Sequence, residues 1–174
     1  MNNLYKKVLA FTMAAVLSLL VSCGQTKSFS DDITCEQILN EAKSVADKTP
    51  ENATVYSKNG VAFDEYTMSL YADGTYEACE EINLLDDYAV FYSSDNTTYE
   101  ISVLKAKSKD DVAKLLEILN RRKETLSSGD KAEYDPNFDN LMKNSQILTD
   151  GEFVILLITE NNDDIIKVIE NLKQ

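Results

Sequence analysis

Residues 146–172 read QILTDGEFVILLITENNDDIIKVIENL, and the fold turns on how this stretch is divided. Gln146 to Thr149 and Glu152 to Thr159 are apolar, β-rich segments, and the Asp150-Gly151 pair between them is a strong short hairpin signal. The period then changes. Asn161 or Asn162 can cap a helix, and Ile165, Val168, Ile169 and Leu172 recur at three- and four-residue spacing to make one apolar stripe. Phe153 to Ile158 is apolar on both faces, so something must cover its second side. The N-terminal helix described below is the expected cover, with a partner protein as the alternative, because large exposed apolar patches are uncommon on monomers.

The same syntax occurs upstream. Tyr88 to Ser93 (YAVFYS) and Tyr99 to Ala106 (YEISVLKA) are β-rich and are separated by Ser94-Asp95-Asn96-Thr97-Thr98, the composition of a hairpin loop. Ser108 then precedes a helix with Val112, Leu115, Leu116, Leu119 and Leu126 as its stripe, Glu117 four residues before Arg121 on the outside, and Gly129 at its end. A polar linker around Tyr134-Asp135-Pro136 separates the two units. At an offset of 53, Asp110, Asp111, Lys114, Glu117 and Leu119 fall on Asp163, Asp164, Lys167, Glu170 and Leu172, and Leu104 falls on Leu157. The expected architecture is therefore α+β: an antiparallel sheet packed with helices, built from ββαββα-like duplicated hairpin-helix units. Alternation within Tyr99 to Val103 places Glu100 and Ser102 on the water-facing side of a half-buried strand.

An N-terminal helix precedes these units. Thr34 and Gln37 have capping-box spacing, Ile33 and Ile38 can form a hydrophobic staple, and Cys35, Ile38, Ala42 and Val45 share a face up to about Lys48. From Glu51 to Asn83 the pattern is weak: Tyr66 to Tyr71 reads either as a strand closed by Asp73-Gly74 or as a helix begun by Asp64.

Composition excludes several classes. The 174 residues include 17 basic and 30 acidic ones, a net charge of -13, with no histidine and no tryptophan. Strong negative charge argues against nucleic acid as a partner. Missing histidine removes the usual proton shuttle and the commonest transition-metal ligand.

The first residues carry a targeting signal. Lys6 and Lys7 precede 14 uncharged residues, Val8 to Val21, too few to span a bilayer but the right length for an export signal. The run ends in Leu20-Val21-Ser22-Cys23-Gly24, which looks like a bacterial lipobox with Cys23 as the lipidated residue. The division expected is a signal peptide over 1–22, a lipidated tether over 23–32 and a single α+β domain over 33–174. Residues 1–22 hold two lysines and no acid, so 15 basic and 30 acidic residues follow them. A net charge of -15 should be repelled by anionic headgroups. Two further cysteines, Cys35 and Cys79, are an even count in a compartment that permits disulfides; three readings stay open, a Cys35–Cys79 bond, a redox pair, which lacks any C-x-x-C spacing, and two small buried hydrophobes.

Catalytic signatures are weak. Ser102-Val103-Leu104-Lys105 fits S-x-x-K and Ser94-Asp95-Asn96 fits S-D-N, yet residues three apart on a strand point to opposite faces, the order is wrong and no K-T-G follows. Asp135, Asn137 and Asp139 have calcium-loop spacing, but Asn140 and Gln146 stand where the loop needs glycine and glutamate. The acid pairs Glu80-Glu81 and Asp86-Asp87 carry no distinguishing pattern, and Asp110-Asp111 and Asp163-Asp164 are explained by helix N-termini. Lys105, Lys107 and Lys109 with Arg121-Arg122-Lys123 are the only basic concentration. Nothing points to a cofactor or a metal.

The lipobox, the stretch Glu100-Ile101-Ser102-Val103-Leu104-Lys105-Ala106-Lys107, the helix with Arg121-Arg122, Tyr134 and Gly151-Glu152-Phe153-Val154 together resemble the bacterial lipoproteins grouped as domain of unknown function 4358. The likeness runs over roughly residues 60–172. It implies a lipoprotein of mainly Gram-positive Firmicutes and brings no catalytic residues with it; Cys35 and Cys79 are not part of the pattern. The expected role is a non-enzymatic, lipid-anchored extracytoplasmic domain that binds an envelope protein or component, marked by an apolar or tyrosine-rich open sheet face. A small-molecule or cation-binding lipoprotein is the alternative and would show an enclosed pocket lined by acids and tyrosines. An envelope enzyme is the third reading.

Overall fold

A computed structural model describes residues 27–93, 97–129 and 131–174. The expected export signal, Cys23 and the middle of the 94–98 loop, including the S-D-N fragment, lie outside the described residues. Among the described residues six α-helices and five strands follow in the order α1 (Cys35–Val45), β1 (Ala53–Ser57), α2 (Glu65–Asp73), β2 (Leu85–Ser93), β3 (Glu100–Ala106), α3 (Val112–Ser128), α4 (Lys131–Tyr134), α5 (Phe138–Asn144), β4 (Gln146–Asp150), β5 (Phe153–Ile158) and α6 (Asn162–Asn171). The strands form one sheet in the order β1-β2-β3-β5-β4, antiparallel throughout. The α+β architecture expected from the sequence is present, with the N-terminal helix packed on the sheet.

Both faces of the sheet are covered. Ala89, Phe91, Ile101, Val103, Ile155 and Leu157 pack with α1 and with Ile165 and Ile169 of α6. Tyr88, Val90, Leu104, Val154, Leu156 and Ile158 pack with α2 and with Leu115, Ile118 and Leu119 of α3. β5 is thus buried on both sides by this chain's own helices, as its apolar sequence requires. No open tyrosine-rich sheet face exists among the described residues.

The two hairpin-helix units sit side by side, β3 against β5, but their helices lie on opposite faces. A two-fold axis normal to the sheet would exchange the strands and keep the faces. The units therefore have opposite hands and are alike in pattern without superposing by rotation. The 53-residue offset still holds locally, since Leu104 and Leu157 each face the helix of their own unit.

Local chemistry explains the boundaries. Gln37 N–H donates to Thr34 Oγ1 at 3.2 Å and Thr34 N–H to Gln37 Oε1 at 2.9 Å, completing the capping box of α1. Asp87, beside a β-bulge in β2, adds a second cap by accepting from the Cys35 N–H at 2.8 Å. α1 ends at Val45, three residues before the expected Lys48, because the Asn161 amide takes the Val45 carbonyl at 2.8 Å and the Asp47 N–H at 3.1 Å. The β4–β5 turn is Gly151-Glu152, one residue later than expected, with Gly151 at φ 57° as a two-residue hairpin of this kind demands. Residues 66–71 belong to a helix, α2, whose N-cap Asp64 accepts from the Thr67 N–H at 2.7 Å.

Three expectations are corrected. Residues 28–32 are not loose tether: Ser28 and Gln174 exchange backbone hydrogen bonds at 3.3 and 3.0 Å, and Phe29 is buried edge-on against Phe153, ring centroids 5.0 Å apart. Ser28 and Phe29 are therefore part of the folded body. Second, Cys35 and Cys79 are free thiols, held in clusters on opposite faces of the sheet, so no bond joins them without rebuilding the backbone. Third, β3 is buried on both faces, and Glu100 is 1% exposed where water was expected.

Candidate functional site

Burying Glu100 requires compensation, and the structure supplies it. Arg122 of α3, itself 8% exposed, donates Nε–H to Glu100 Oε2 at 2.9 Å. Tyr71 of α2 reaches Glu100 Oε1 at 2.8 Å and Ser102 Oγ at 2.7 Å, while Ser102 Oγ lies 2.6 Å from Glu100 Oε1. Two hydroxyl protons serve these three contacts. The Arg122 guanidinium lies over the Tyr71 and Tyr92 rings, 4.8 and 5.2 Å from their centroids, and its Nη1 donates to the Tyr71 carbonyl at 3.3 Å. Burial, and next the Glu100 charge, hold the Tyr71 hydroxyl protonated well above the ordinary tyrosine range. The cluster pins α2 to the sheet and to α3.

An aromatic layer lies beside it. Phe63 stacks on Tyr56 at 4.8 Å and on Tyr88 at 5.2 Å, and the Tyr88 hydroxyl accepts the Phe63 N–H at 2.9 Å. Phe63 and the network therefore fix both ends of α2, with Met68, Ser69, Tyr71 and Ala72 turned inward.

The outward side of α2 is then exposed by geometry. Tyr66 and Leu70, one helical turn apart, face solvent, Tyr66 at 59% exposure. Val61 before the helix and Tyr76 after it, the latter 83% exposed, are the other large apolar side chains of this region left uncovered. Residues 61–81 contain six acids and no base, with Asp64, Glu65, Glu77 and Glu80 exposed among the tyrosines. Arg121 of α3 secures the segment from below by pairing with Asp73 and Glu81, each at 3.1 Å, instead of with Glu117 as its spacing suggested. The Glu81 carboxyl is held below its usual range, first by the neighbouring Cys79 thiol, whose own hydrogen bond goes to the Glu65 carbonyl at 3.7 Å, and then by Arg121. That thiol is pushed up to about 11 by burial and the Glu81 contact.

Other sequence candidates resolve differently. Ser102 lies in the network under α2, while Lys105 sits over the Phe153 ring on the opposite face, so the S-x-x-K resemblance has no geometry. Asp135 is buried and its two carboxylate oxygens accept the Thr98 and Asn137 N–H groups at 2.6 and 2.8 Å, which makes the calcium-like spacing a loop clasp. Among the described residues no three acids or thiols gather in a way that could hold a metal. Burial, with Asp87 next, pushes the Cys35 thiol far above its ordinary value. A cleft of about 670 Å³ opens at the start of α6, lined by residues such as Lys143, Asn161, Asp163 and Lys167; it contains acids but no tyrosine and is not enclosed.

Sequence reasoning missed Glu100, Arg122 and Tyr71 as a group. The only available signal was an arginine at a position where the α3 stripe should be apolar, three residues after Leu119.

Fold and site define an α+β domain with an antiparallel sheet between two helical layers and an acidic, tyrosine-bearing α2 on its flank. Residues 81–159 match the family model described as "Domain of unknown function (DUF4358)", so the chain carries that domain from the turn before β2 through β5. The match is shorter than the 60–172 likeness: it includes Glu100, Ser102 and Arg122, and it leaves α1, β1, α2 and α6 outside. No curated protein and no solved structure matches the chain.

Proposed function

We propose that this chain is a lipid-anchored, extracytoplasmic bacterial lipoprotein, attached through Cys23, whose domain is a non-enzymatic binding module for a protein of the cell envelope. The lipobox sequence supports the anchor. The observation that carries the binding reading is the group Val61, Tyr66, Leu70 and Tyr76, left exposed on a segment that the Glu100–Arg122 cluster holds rigidly. Tyrosines are favourable interface anchors because they bring large contact area with few rotatable bonds to immobilise. The surrounding acids favour a partner surface that is basic around an apolar centre. A second copy of this chain is disfavoured as that partner, since both would bring the same acidic segment.

A photo-crosslinking residue at Tyr76 in intact cells tests the reading. One discrete adduct, lost in a Tyr66→Glu variant and absent when the crosslinker replaces Lys167 on α6, is the expected result. Equal labelling from both positions would overturn it. Replacing Cys23 by alanine should move the protein from the membrane to the soluble fraction, and retention on the membrane would defeat the anchor assignment.

A further inference from the structure

The docked N-terminal segment determines which end of the domain meets the lipid. The sheet has two poles. Ser57, Leu85, Ala106, Asp150 and Phe153 lie at one, while Ala53, Ser93, Glu100, Gln146 and Ile158 lie at the other. Ser28 and Phe29 are fastened at the first pole: to Gln174, to Phe153, and to Lys173, whose ammonium lies 5.4 Å from the Phe29 centroid while pairing with Asp150 at 2.7 Å and Glu170 at 2.6 Å. The Asp31 carbonyl lies 3.5 Å from Lys105 Nζ at the same pole. Only five residue steps separate Cys23 from Ser28, a maximum reach of about 17 Å at 3.3–3.6 Å per residue. The six residue steps of β3, from Ala106 to Glu100, place the opposite pole about 20 Å farther away.

Resting on the anchor reading above, we infer that the surface around Phe29, Gly151 and Lys109 is a membrane-facing surface whose partner is the lipid headgroup layer. The pole with the α6 cleft is held away from the bilayer, and α2 runs along the flank between them. The covalent reach decides this: the anchor is shorter than the strands are long. Lys109 lines a hollow with Ser28 and Lys107 is exposed at the same end of β3, so two lysines offset part of the acidic charge where the chain approaches the lipid. Asp31, Asp32 and Glu152 stand there too, which makes the lipid acyl groups the holding force and the lysines an accommodation.

The chain has no tryptophan, so one can be placed at will as a fluorescent reporter. Lipidated protein from membranes is reconstituted into phosphatidylcholine–phosphatidylglycerol vesicles that carry a headgroup-nitroxide lipid. Emission is compared for Glu152→Trp, at the proposed membrane pole, and Asp163→Trp, at the other. The expected result is co-flotation of both variants with the vesicles and quenching several-fold greater for Glu152→Trp. Co-flotation with equal quenching, or greater quenching of Asp163→Trp, overturns the orientation and leaves the anchor standing. Failure to float overturns the anchor and the orientation with it.

Discussion

Replacing Arg122 by methionine would remove a cation while keeping most of its apolar stem. Glu100 would then remain buried, holding only hydroxyl donors from Tyr71 and Ser102. Removing one partner of a buried ion pair destabilises by about 3–5 kcal/mol, because the surviving charge is left without compensation. Loss of the stacking of Arg122 on Tyr71 and Tyr92 acts in the same direction. Against a total stability of about 5–15 kcal/mol, this is a large fraction. With a urea slope of about 2 kcal/mol per molar, the unfolding midpoint should fall by roughly 1.5–2.5 M. The decisive comparison is a double-mutant cycle with Glu100→Gln, which exchanges the carboxylate for an uncharged acceptor of the same shape. The double variant should be less destabilised than the two single losses summed, by at least about 2 kcal/mol, since neither single variant's orphaned charge survives in it. A loss below about 1 kcal/mol for Arg122→Met, or strict additivity in the cycle, would refute the claim that this pair holds α2 and α3 to the sheet.

The Tyr99 hydroxyl is buried without a hydrogen-bond partner among the described residues, and burial, then Asp47 and Glu160, push its ionisation upward. Tyr99→Phe should therefore stabilise the domain by about 1 kcal/mol in thermal or urea unfolding, and a loss of stability would show that the hydroxyl is satisfied. Native protein treated with a thiol reagent should label Cys79 slowly and Cys35 only on unfolding; a species with neither thiol reactive after unfolding would establish a disulfide after all. Asp64 is held below the usual carboxylate range by its hydrogen bonds from Thr67, so its stabilisation is present above the unfolded value and lost as pH falls through the folded one. Asp64→Asn, which caps α2 without titrating, should lose less stability between neutral and strongly acidic pH than the parent; equal acid sensitivity would place the titrating groups elsewhere.

How the site was hidden can be followed residue by residue. Alternation along Tyr99 to Val103 correctly separated Ile101 and Val103 from Glu100 and Ser102, but a period of two says which residues share a face and not whether that face is covered. Cover came from α2, in the stretch whose pattern was weakest, and from Arg122, 22 residues beyond Glu100. Phe29 was hidden for a related reason: a single aromatic in a polar run has no periodicity, and its burial depends on Phe153 and on the last residues of the chain.

Local chemistry was enough for the capping box at Thr34 and Gln37, for a tight hairpin turn at Gly151 to within one residue, for the change of period after Thr159 and for the two-sided burial demanded by Phe153 to Ile158. Each involves residues within a few positions of one another, where propensity and hydrogen-bond geometry act before the chain has any tertiary contact. Tertiary structure alone decided the opposite hands of the two hairpin-helix units, the separation of Cys35 from Cys79 by the sheet, the meeting of Glu100 with Arg122 and Tyr71, and the docking of Ser28 beside Gln174. These depend on which helix covers which face, a choice made by the summed burial of the whole core that no short window of sequence contains.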